Sequence, residues 1–163
     1  EPARRGLGRQ GCCCTQVATE TIQEGICVIS ISKTYSFDAA HRLYIPEIDE
    51  AANVELFGKC YNPHGHTYSL EVHVQGEVSP VTGMVLNYHD IDKVVKPYLE
   101  TVDHQDLNEV FADILTTAEN IVSRMAQHLL DKFDNLYPWA TLEQLTLSET
   151  PKTSATWVNI EAV

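Results

Sequence analysis

Residues 60–78 read CYNPHGHTYSLEVHVQGEV, and this stretch decides much of the fold. From His66 onward apolar and polar residues alternate, and a period of two predicts a half-buried β-strand. Cys60, His64 and His66 place one thiol and two imidazoles where this strand begins. Residues i and i+2 of a strand face the same side, so His64 and His66 can direct both rings at one point.

The segment before this stretch contains a second alternating run. Residues 26–41, ICVISISKTYSFDAAH, predict a first strand, with Lys33 as the one break in its apolar row. Residues 42–59 contain a proline and several acidic residues without a clean period. They predict a long loop with at most a short helical turn.

The two predicted strands bring their histidines together if they pair as a hairpin. His41 ends the first strand on its apolar parity, and with His64 and His66 it would form a three-imidazole site. Zinc binds imidazole and thiolate, and a catalytic zinc keeps three protein ligands and one open position. The spacing leaves two roles open for Cys60, namely the fourth ligand of a closed structural site or a thiolate base beside the metal.

The remainder of the chain predicts two helices followed by two strands. The helices are predicted at 88–102 and 118–133, and the strands at 141–151 and 154–163. Thr117 is placed to cap the second helix, and Pro97 to end or bend the first. The order β-β-α-α-β-β predicts an α+β fold, a four-stranded antiparallel sheet with two helices packed on one face.

Composition limits the function classes. The chain has 163 residues, 44% of them hydrophobic and 21% charged, which is typical of a globular domain. Its net charge of −12 argues against binding to nucleic acid or to an anionic membrane. Five cysteines, three of them at positions 12–14, favour a reduced cytoplasmic setting. Residues 1–25 are interpreted as a flexible N-terminal extension, and residues 26–163 as a single domain.

Six ordered motifs carry a family resemblance. They are YSFDAAH, FGKCYNPHGHTY, EVSPVTGMVLN, VDHQDLN, TTAEN and LSETP. Together they resemble the family of 6-pyruvoyl-tetrahydropterin synthases and 6-carboxytetrahydropterin synthases. The resemblance implies the T-fold, in which trimers join their sheets into a barrel, often stack as hexamers, and place active sites between subunits.

The resemblance also implies roles for individual residues. The implied sets are His41, His64 and His66 for zinc, Cys60, Asp103 and His104 for catalysis, and Glu149 and Thr117 for pterin binding. Arg42 and Lys59 flank these positions and are candidates to bind a substrate triphosphate. His73, His89 and His128 are expected to have structural or solvated roles.

Two branches of the family share these motifs and differ in their product. The implied substrate is 7,8-dihydroneopterin triphosphate. Three residues separate Cys60 from His64, a spacing that resembles the bacterial enzymes of queuosine synthesis and favours 6-carboxytetrahydropterin with release of acetaldehyde. The alternative is a 6-pyruvoyl product, which the FGKC and EVSPVTGMVLN stretches favour. A non-catalytic zinc-binding module, with Cys60 on the metal, is a further alternative.

Overall fold

The computed structural model describes residues 28–162, and within this range the chain forms a mixed sheet with helices. The strands are β1 (Val28–His41), β2 (His64–Glu77), β3 (Gln105–Asp106), β4 (Ala140–Thr150) and β5 (Thr153–Val158). The α-helices are α1 (Glu50–Phe57), α2 (Tyr88–Leu99), α3 (Leu107–Val110) and α4 (Ala118–Leu136), and 3-10 helices span Gly58–Tyr61 and Ile160–Ala162. The predicted extension, residues 1–25, lies outside the described residues.

The sheet has the strand order β3-β1-β2-β4-β5. Its four long strands are antiparallel, as predicted, and β1 pairs with β2 so that His41 lies opposite His64. The fifth strand, β3, is a correction to the predicted four-stranded sheet, since it runs parallel to β1 beside residues 39–40. The chain reaches this edge through a turn in which His104 has a φ of 59°. A two-residue strand after such a turn leaves no alternation to recognise in the sequence.

One face of the sheet packs against α2 and α4, and the core lies between these layers. Along β2 the inward side chains are fully buried and the outward ones are polar, which confirms the predicted half-buried strand. The inward set of β2 comprises Tyr68, Leu70, Val72 and Val74. This face also receives the apolar stripes of both helices, so each layer buries the apolar face of the other.

Both predicted helices are present. Thr117 caps α4 as predicted, because its side chain accepts from the Asn120 N–H. Helix α2 continues through Pro97 to Leu99, so the proline does not end it, although the helix stops short of the predicted residue 102. Val95 and Leu99 are buried against the core, and this packing holds the last turn despite the missing N–H of the proline. No helix among residues 28–162 is long and apolar enough to cross a membrane.

The predicted loop between the first two strands contains more structure than expected. Residues 50–57 form α1, which is capped by Asp49 and ends at Gly58 with a φ of 55°. The helix buries one residue, Asn53, whose amide nitrogen donates to three backbone carbonyls of residues 45–49. Because a polar anchor replaces an apolar stripe here, the sequence period gives no sign of the helix.

The break in the apolar row of β1 has a structural explanation. Lys33 Nζ lies 2.6 Å from the Asp92 carboxylate of α2, and the Tyr35 hydroxyl donates to the same carboxylate at 3.0 Å. The lysine therefore ties the first strand to the first long helix instead of interrupting their contact.

Candidate metal centre and its surroundings

Three histidines converge at one end of the sheet. His41 is the last residue of β1, His64 is the first residue of β2 directly opposite it, and His66 follows two positions later on the same face. One ring nitrogen from each lies within 4.8 Å of the other two. These three residues are called the metal cluster below. The predicted convergence of imidazoles is therefore present in a single chain.

Hydrogen bonds fix the tautomers of two of these rings. His41 Nδ1 lies 2.8 Å from the Thr116 carbonyl, and His64 Nδ1 lies 2.8 Å from the Asn62 carbonyl. A carbonyl oxygen can only accept, so each Nδ1 carries a proton, and in the neutral ring Nε2 is then the nitrogen with the free lone pair. A backbone carbonyl on the far nitrogen is the usual support of a metal-binding histidine.

The burial of His41 supports the same interpretation. His41 is 3% exposed, and its Nε2 is buried without a hydrogen-bond partner among the described residues. Burial is the largest effect on the pKa of His41 and lowers it. The Thr116 carbonyl and the charge of Glu149 oppose this shift, whereas the nearby rings of His64 and His66 add to it. A buried lone pair on a neutral imidazole fits a metal ion such as Zn²⁺, which would supply the missing partner.

A carboxylate and a phenol complete this corner of the molecule. Glu149 Oε1 lies 3.8 Å from His41 Nε2, at a register shift of β4 between Ser148 and Thr150. Tyr68 is fully buried, its ring lies edge-on to those of His41 and His66, and its hydroxyl has no partner among residues 28–162. Burial raises the pKa of Tyr68, and the charge of Glu149 adds to this effect, so the phenol remains a hydrogen-bond donor.

Cys60 lies near the metal cluster but is not one of its members. It is exposed in the 3-10 helix before β2, and its carbonyl accepts from the Leu43 N–H at 2.7 Å. That bond ties the cysteine to the chain just after His41. Among the described residues, the group able to hold a metal contains the three histidines without the thiol. This arrangement favours a cysteine that stays off the metal over a fourth ligand.

Asp103 and His104 form a second cluster with Asp38 on the outer edge of β1. His104 Nδ1 lies 3.0 Å from Asp103 Oδ1, and the same oxygen accepts from the Asp38 N–H at 2.9 Å. Thr67 donates to the Asp38 carboxylate at 2.6 Å. Asp38, Asp103 and His104 are called the edge cluster below. Asp38 and Thr67 lie on the opposite strand parity from His41 and His66, so their side chains occupy the opposite face of the sheet.

The edge cluster is open to solvent. The side chains of Asp103 and His104 are 42% and 75% exposed, and His104 borders an open cavity of about 510 Å³. The Asp38 N–H, followed by the hydrogen bond from His104, lowers the pKa of Asp103 below its ordinary value. Asp103 is therefore an ionised partner that can orient the imidazole of His104.

The remaining predicted site residues are Arg42, Lys59 and Thr117. The Arg42 guanidinium stacks on the Tyr44 ring, with its carbon 4.2 Å from the ring centroid, and Lys59 lies beside Cys60. Thr117 caps α4, whereas its neighbour Thr116 contacts His41. Among residues 28–162, no hydrogen bond or ring contact joins Thr117 to the metal cluster.

Three supporting residues are missing from the sequence-based prediction. Thr116 is fully buried, and the Tyr68 hydroxyl has no partner in the part of the chain that the structure describes. Asn108 bonds both the N–H and the carbonyl of Arg42. Tyr68 shares the parity of His66, which could have marked it as a neighbour of the site. Asn108 and Thr116 act through contacts between distant segments, and their places in the motifs VDHQDLN and TTAEN are the only signal that the sequence gives for them.

Three converging imidazoles beside a carboxylate, at one end of the sheet of an α+β fold, define a candidate metal-dependent enzyme. The family model of 6-pyruvoyl tetrahydropterin synthase matches residues 30–159. The chain belongs to this family, as predicted.

Two relatives and one solved structure are similar to this chain. The human 6-pyruvoyl tetrahydrobiopterin synthase is 37% identical over 130 residues, covering 76% of this chain and 87% of the relative. A dihydroneopterin monophosphate aldolase of Pyrococcus furiosus is 35% identical over 94 residues, covering 58% of this chain and 68% of the relative. The structure of Caenorhabditis elegans 6-pyruvoyl tetrahydropterin synthase superposes with a TM-score of 0.74 at 35% identity, covering 82% of this chain and 97% of that one. The predicted T-fold is thereby confirmed.

Proposed function

We propose that the protein is a zinc-dependent lyase that eliminates triphosphate from 7,8-dihydroneopterin triphosphate and yields 6-pyruvoyl tetrahydropterin. Membership of the family and the names of its relatives support this reaction. The observation that carries the proposal is the convergence of the metal cluster, with an unpartnered Nε2 on His41 and the Glu149 carboxylate 3.8 Å from it.

The metal cluster and Glu149 would divide the binding of the substrate. His41, His64 and His66 would hold the zinc ion, each through one ring nitrogen. Zinc bound there supplies Lewis-acid chemistry to the hydroxyl groups of the substrate side chain. Glu149 would hold the pterin ring, because a carboxylate can accept from an adjacent ring N–H and amino group together.

Proton transfer would fall to Cys60 and His104. The Cys60 thiolate would remove a proton from a side-chain carbon, and His104, oriented by Asp103, would move protons on the other side of the substrate. The C–O bond to the triphosphate breaks, and the triphosphate leaves with that electron pair. Electrons from the side chain reduce the pterin ring, so the reaction needs no external reductant.

The two faces of the sheet separate Asp103 and His104 from the metal cluster of the same chain. We infer that the edge cluster of one subunit serves the metal cluster of a neighbour in a trimer or hexamer. An open sheet also has unpaired edges at β3 and β5, and closure into a barrel would cover them. Both features support a homo-oligomer with active sites between subunits.

Arg42 and Lys59 are proposed to bind the triphosphate. Arg42 follows His41 directly, and Lys59 precedes Cys60, so both lie close to the reacting side chain. Within residues 28–162 neither side chain forms an ion pair. Their charges therefore remain available to an anionic ligand, although the chain as a whole is acidic.

A second product is supported by one specific feature. Three residues separate Cys60 from His64, which favours formation of 6-carboxytetrahydropterin. That reaction consumes one water and releases acetaldehyde together with triphosphate. The human relative and the Caenorhabditis elegans structure described above carry the pyruvoyl name, whereas the Pyrococcus furiosus relative, which matches a smaller part of this chain, is named an aldolase. The pyruvoyl product therefore takes precedence over the carboxy product favoured by the spacing.

Product analysis tests the proposal. Zinc-loaded protein is incubated with 7,8-dihydroneopterin triphosphate, pterins are analysed by mass spectrometry, and acetaldehyde is trapped as a hydrazone. We expect triphosphate and the pyruvoyl product without acetaldehyde. Stoichiometric acetaldehyde would establish the carboxy branch instead, and absence of any triphosphate release would refute the lyase assignment.

A further inference from the structure

Tyr68 carries a buried polar group that the proposed reaction does not use. The residue is 0% exposed, and its hydroxyl has no hydrogen-bond partner within residues 28–162. Leaving a buried hydroxyl unpaired is costly, and native proteins rarely do so without a functional reason. The question is which group this donor serves.

The position of Tyr68 in the sheet points to Glu149. The pairing of β2 with β4 ends with Ser69 opposite Ser148, so Tyr68 and Glu149 are the next residues on the two adjacent strands. Both belong to the face that carries the metal cluster, since Tyr68 packs edge-on to His41 and Glu149 lies 3.8 Å from the same ring.

Within residues 28–162, the hydrogen-bond donors and acceptors around Glu149 do not match. The Nδ1–H of His41 donates to the Thr116 carbonyl, so its Nε2 has a lone pair and no proton to offer Glu149. The carboxylate thus faces an acceptor at 3.8 Å. Meanwhile the phenol of Tyr68, a donor, has no acceptor within residues 28–162. A cation on the three lone pairs and a bond from the phenol to the carboxylate would satisfy all of these groups.

We propose that Tyr68 is a positioning residue, whose hydroxyl donates to Glu149 when the metal cluster is loaded and fixes that carboxylate for its ligand. A carboxylate oxygen has two lone pairs, so Glu149 can accept from Tyr68 and from a pterin together. The phenol holds the carboxylate in one orientation, and less rotational freedom is then lost when the pterin binds. This inference rests on the proposed function for the identity of the ligand.

Tyr68→Phe removes the oxygen and keeps the ring. Tyr35→Phe is the matched control, since it removes the same atom from a phenol that donates to the Asp92 carboxylate, a pair not used by the proposed reaction. In the zinc-loaded protein, affinity for neopterin is measured by quenching of pterin fluorescence. We expect binding to weaken by about 10- to 100-fold in Tyr68→Phe, the range for a hydrogen bond to a charged group, and to stay at the wild-type value in Tyr35→Phe.

Two further measurements separate positioning from general damage. Zinc content should stay at the wild-type value in both variants. In metal-free protein, Tyr68→Phe should unfold at the same or a higher urea concentration than the wild type, because it removes an unpaired hydroxyl, whereas Tyr35→Phe should unfold earlier. In the Glu149→Ala background, which has no acceptor for the phenol, adding Tyr68→Phe should cost much less binding than it does alone.

The outcomes are distinguishable from failure of the proposed function. If wild-type protein does not bind neopterin, the pterin assignment fails, and a crystal structure of the zinc-loaded protein then decides the inference alone. A distance of about 2.5–2.7 Å between Tyr68 Oη and a Glu149 carboxylate oxygen is expected. A distance beyond hydrogen-bonding range, or equal neopterin affinity in wild type and Tyr68→Phe, overturns it.

Discussion

The metal cluster and the edge cluster differ in how they are built. The metal cluster comes from two paired strands of one chain, and hydrogen bonds from its rings to backbone carbonyls orient it. The edge cluster joins Asp38 of β1 to a turn in which His104 has an unusual backbone angle, and the side chains of Asp103 and His104 are open to solvent. Charge interactions are strong in dry surroundings and weak in water. We therefore expect the metal cluster to hold an ion within one chain, and the edge cluster to need another surface that excludes water.

Loss of a metal ligand should have the largest effect. His64→Ala removes one of the three imidazoles. His64 is the first residue of β2 and is partly exposed, so we expect the variant to keep its folded hydrophobic core. Mutation of a residue that only orients a metal ligand typically lowers metal affinity or activity by about 10- to 100-fold, and loss of a ligand itself should lower them more. Zinc content is measured by mass spectrometry of the metal together with turnover. The control His128→Ala, in the body of α4, should retain the zinc content and turnover of the wild type. Equal zinc content in His64→Ala and His128→Ala would contradict the assignment of His64 as a metal ligand.

Cys60→Ala should separate metal binding from proton transfer. Because the thiol lies outside the metal cluster, zinc content should stay at the wild-type value. Turnover should fall by about 10²- to 10⁴-fold, the usual contribution of a positioned acid or base. Loss of zinc in this variant would instead make the sulfur a ligand and favour the closed structural site.

Mixing two inactive variants tests whether the clusters cooperate between subunits. Cys60→Ala and His104→Ala are unfolded together, refolded and assayed as one population. If each site takes Cys60 from one subunit and His104 from its neighbour, random assembly in a symmetric ring restores about a quarter of wild-type turnover. No recovery, with oligomers present by light scattering, would place both residues in the same chain's site.

The contrast between the clusters also explains what the sequence could predict. His41, His64 and His66 are recognisable because strand alternation fixes their face, and the hairpin pairing follows from two neighbouring alternating runs. Family motifs, not the sequence period, point to Asp103 and His104, since nothing local predicts that a turn will place them beside Asp38. The same limit hides α1, which is anchored by a polar Asn53, and β3, which is too short for a pattern.

Supporting contacts are the part that sequence reasoning misses most. Thr116 reaches His41 from a segment 75 positions away, and only the packed structure reveals that its carbonyl sets the tautomer of the ring. Thr117 also illustrates that contacts between distant segments are not predicted by local sequence. The cap of α4 is predicted from the sequence and confirmed, whereas the pterin contact that the resemblance implies depends on how α4 docks on the sheet and stays a prediction.

Asp103→Asn should give the smallest effect, and it tests the electrostatics of the edge cluster. The Asp38 N–H and His104 lower the pKa of Asp103 in the folded chain, so the folded state favours the ionised form. The resulting stabilisation is complete above the unfolded-state pKa, near 3.8, and is lost as pH falls through the lower folded-state value. Urea unfolding midpoints measured from pH 6 to pH 3 should therefore fall less steeply below about pH 4 in Asp103→Asn than in the wild type. His104→Gln should lie between them, because the bond from the Asp38 N–H, which has the larger effect, remains. Identical slopes in all three proteins would mean that the solvated edge cluster holds no ordered carboxylate before a neighbouring subunit covers it.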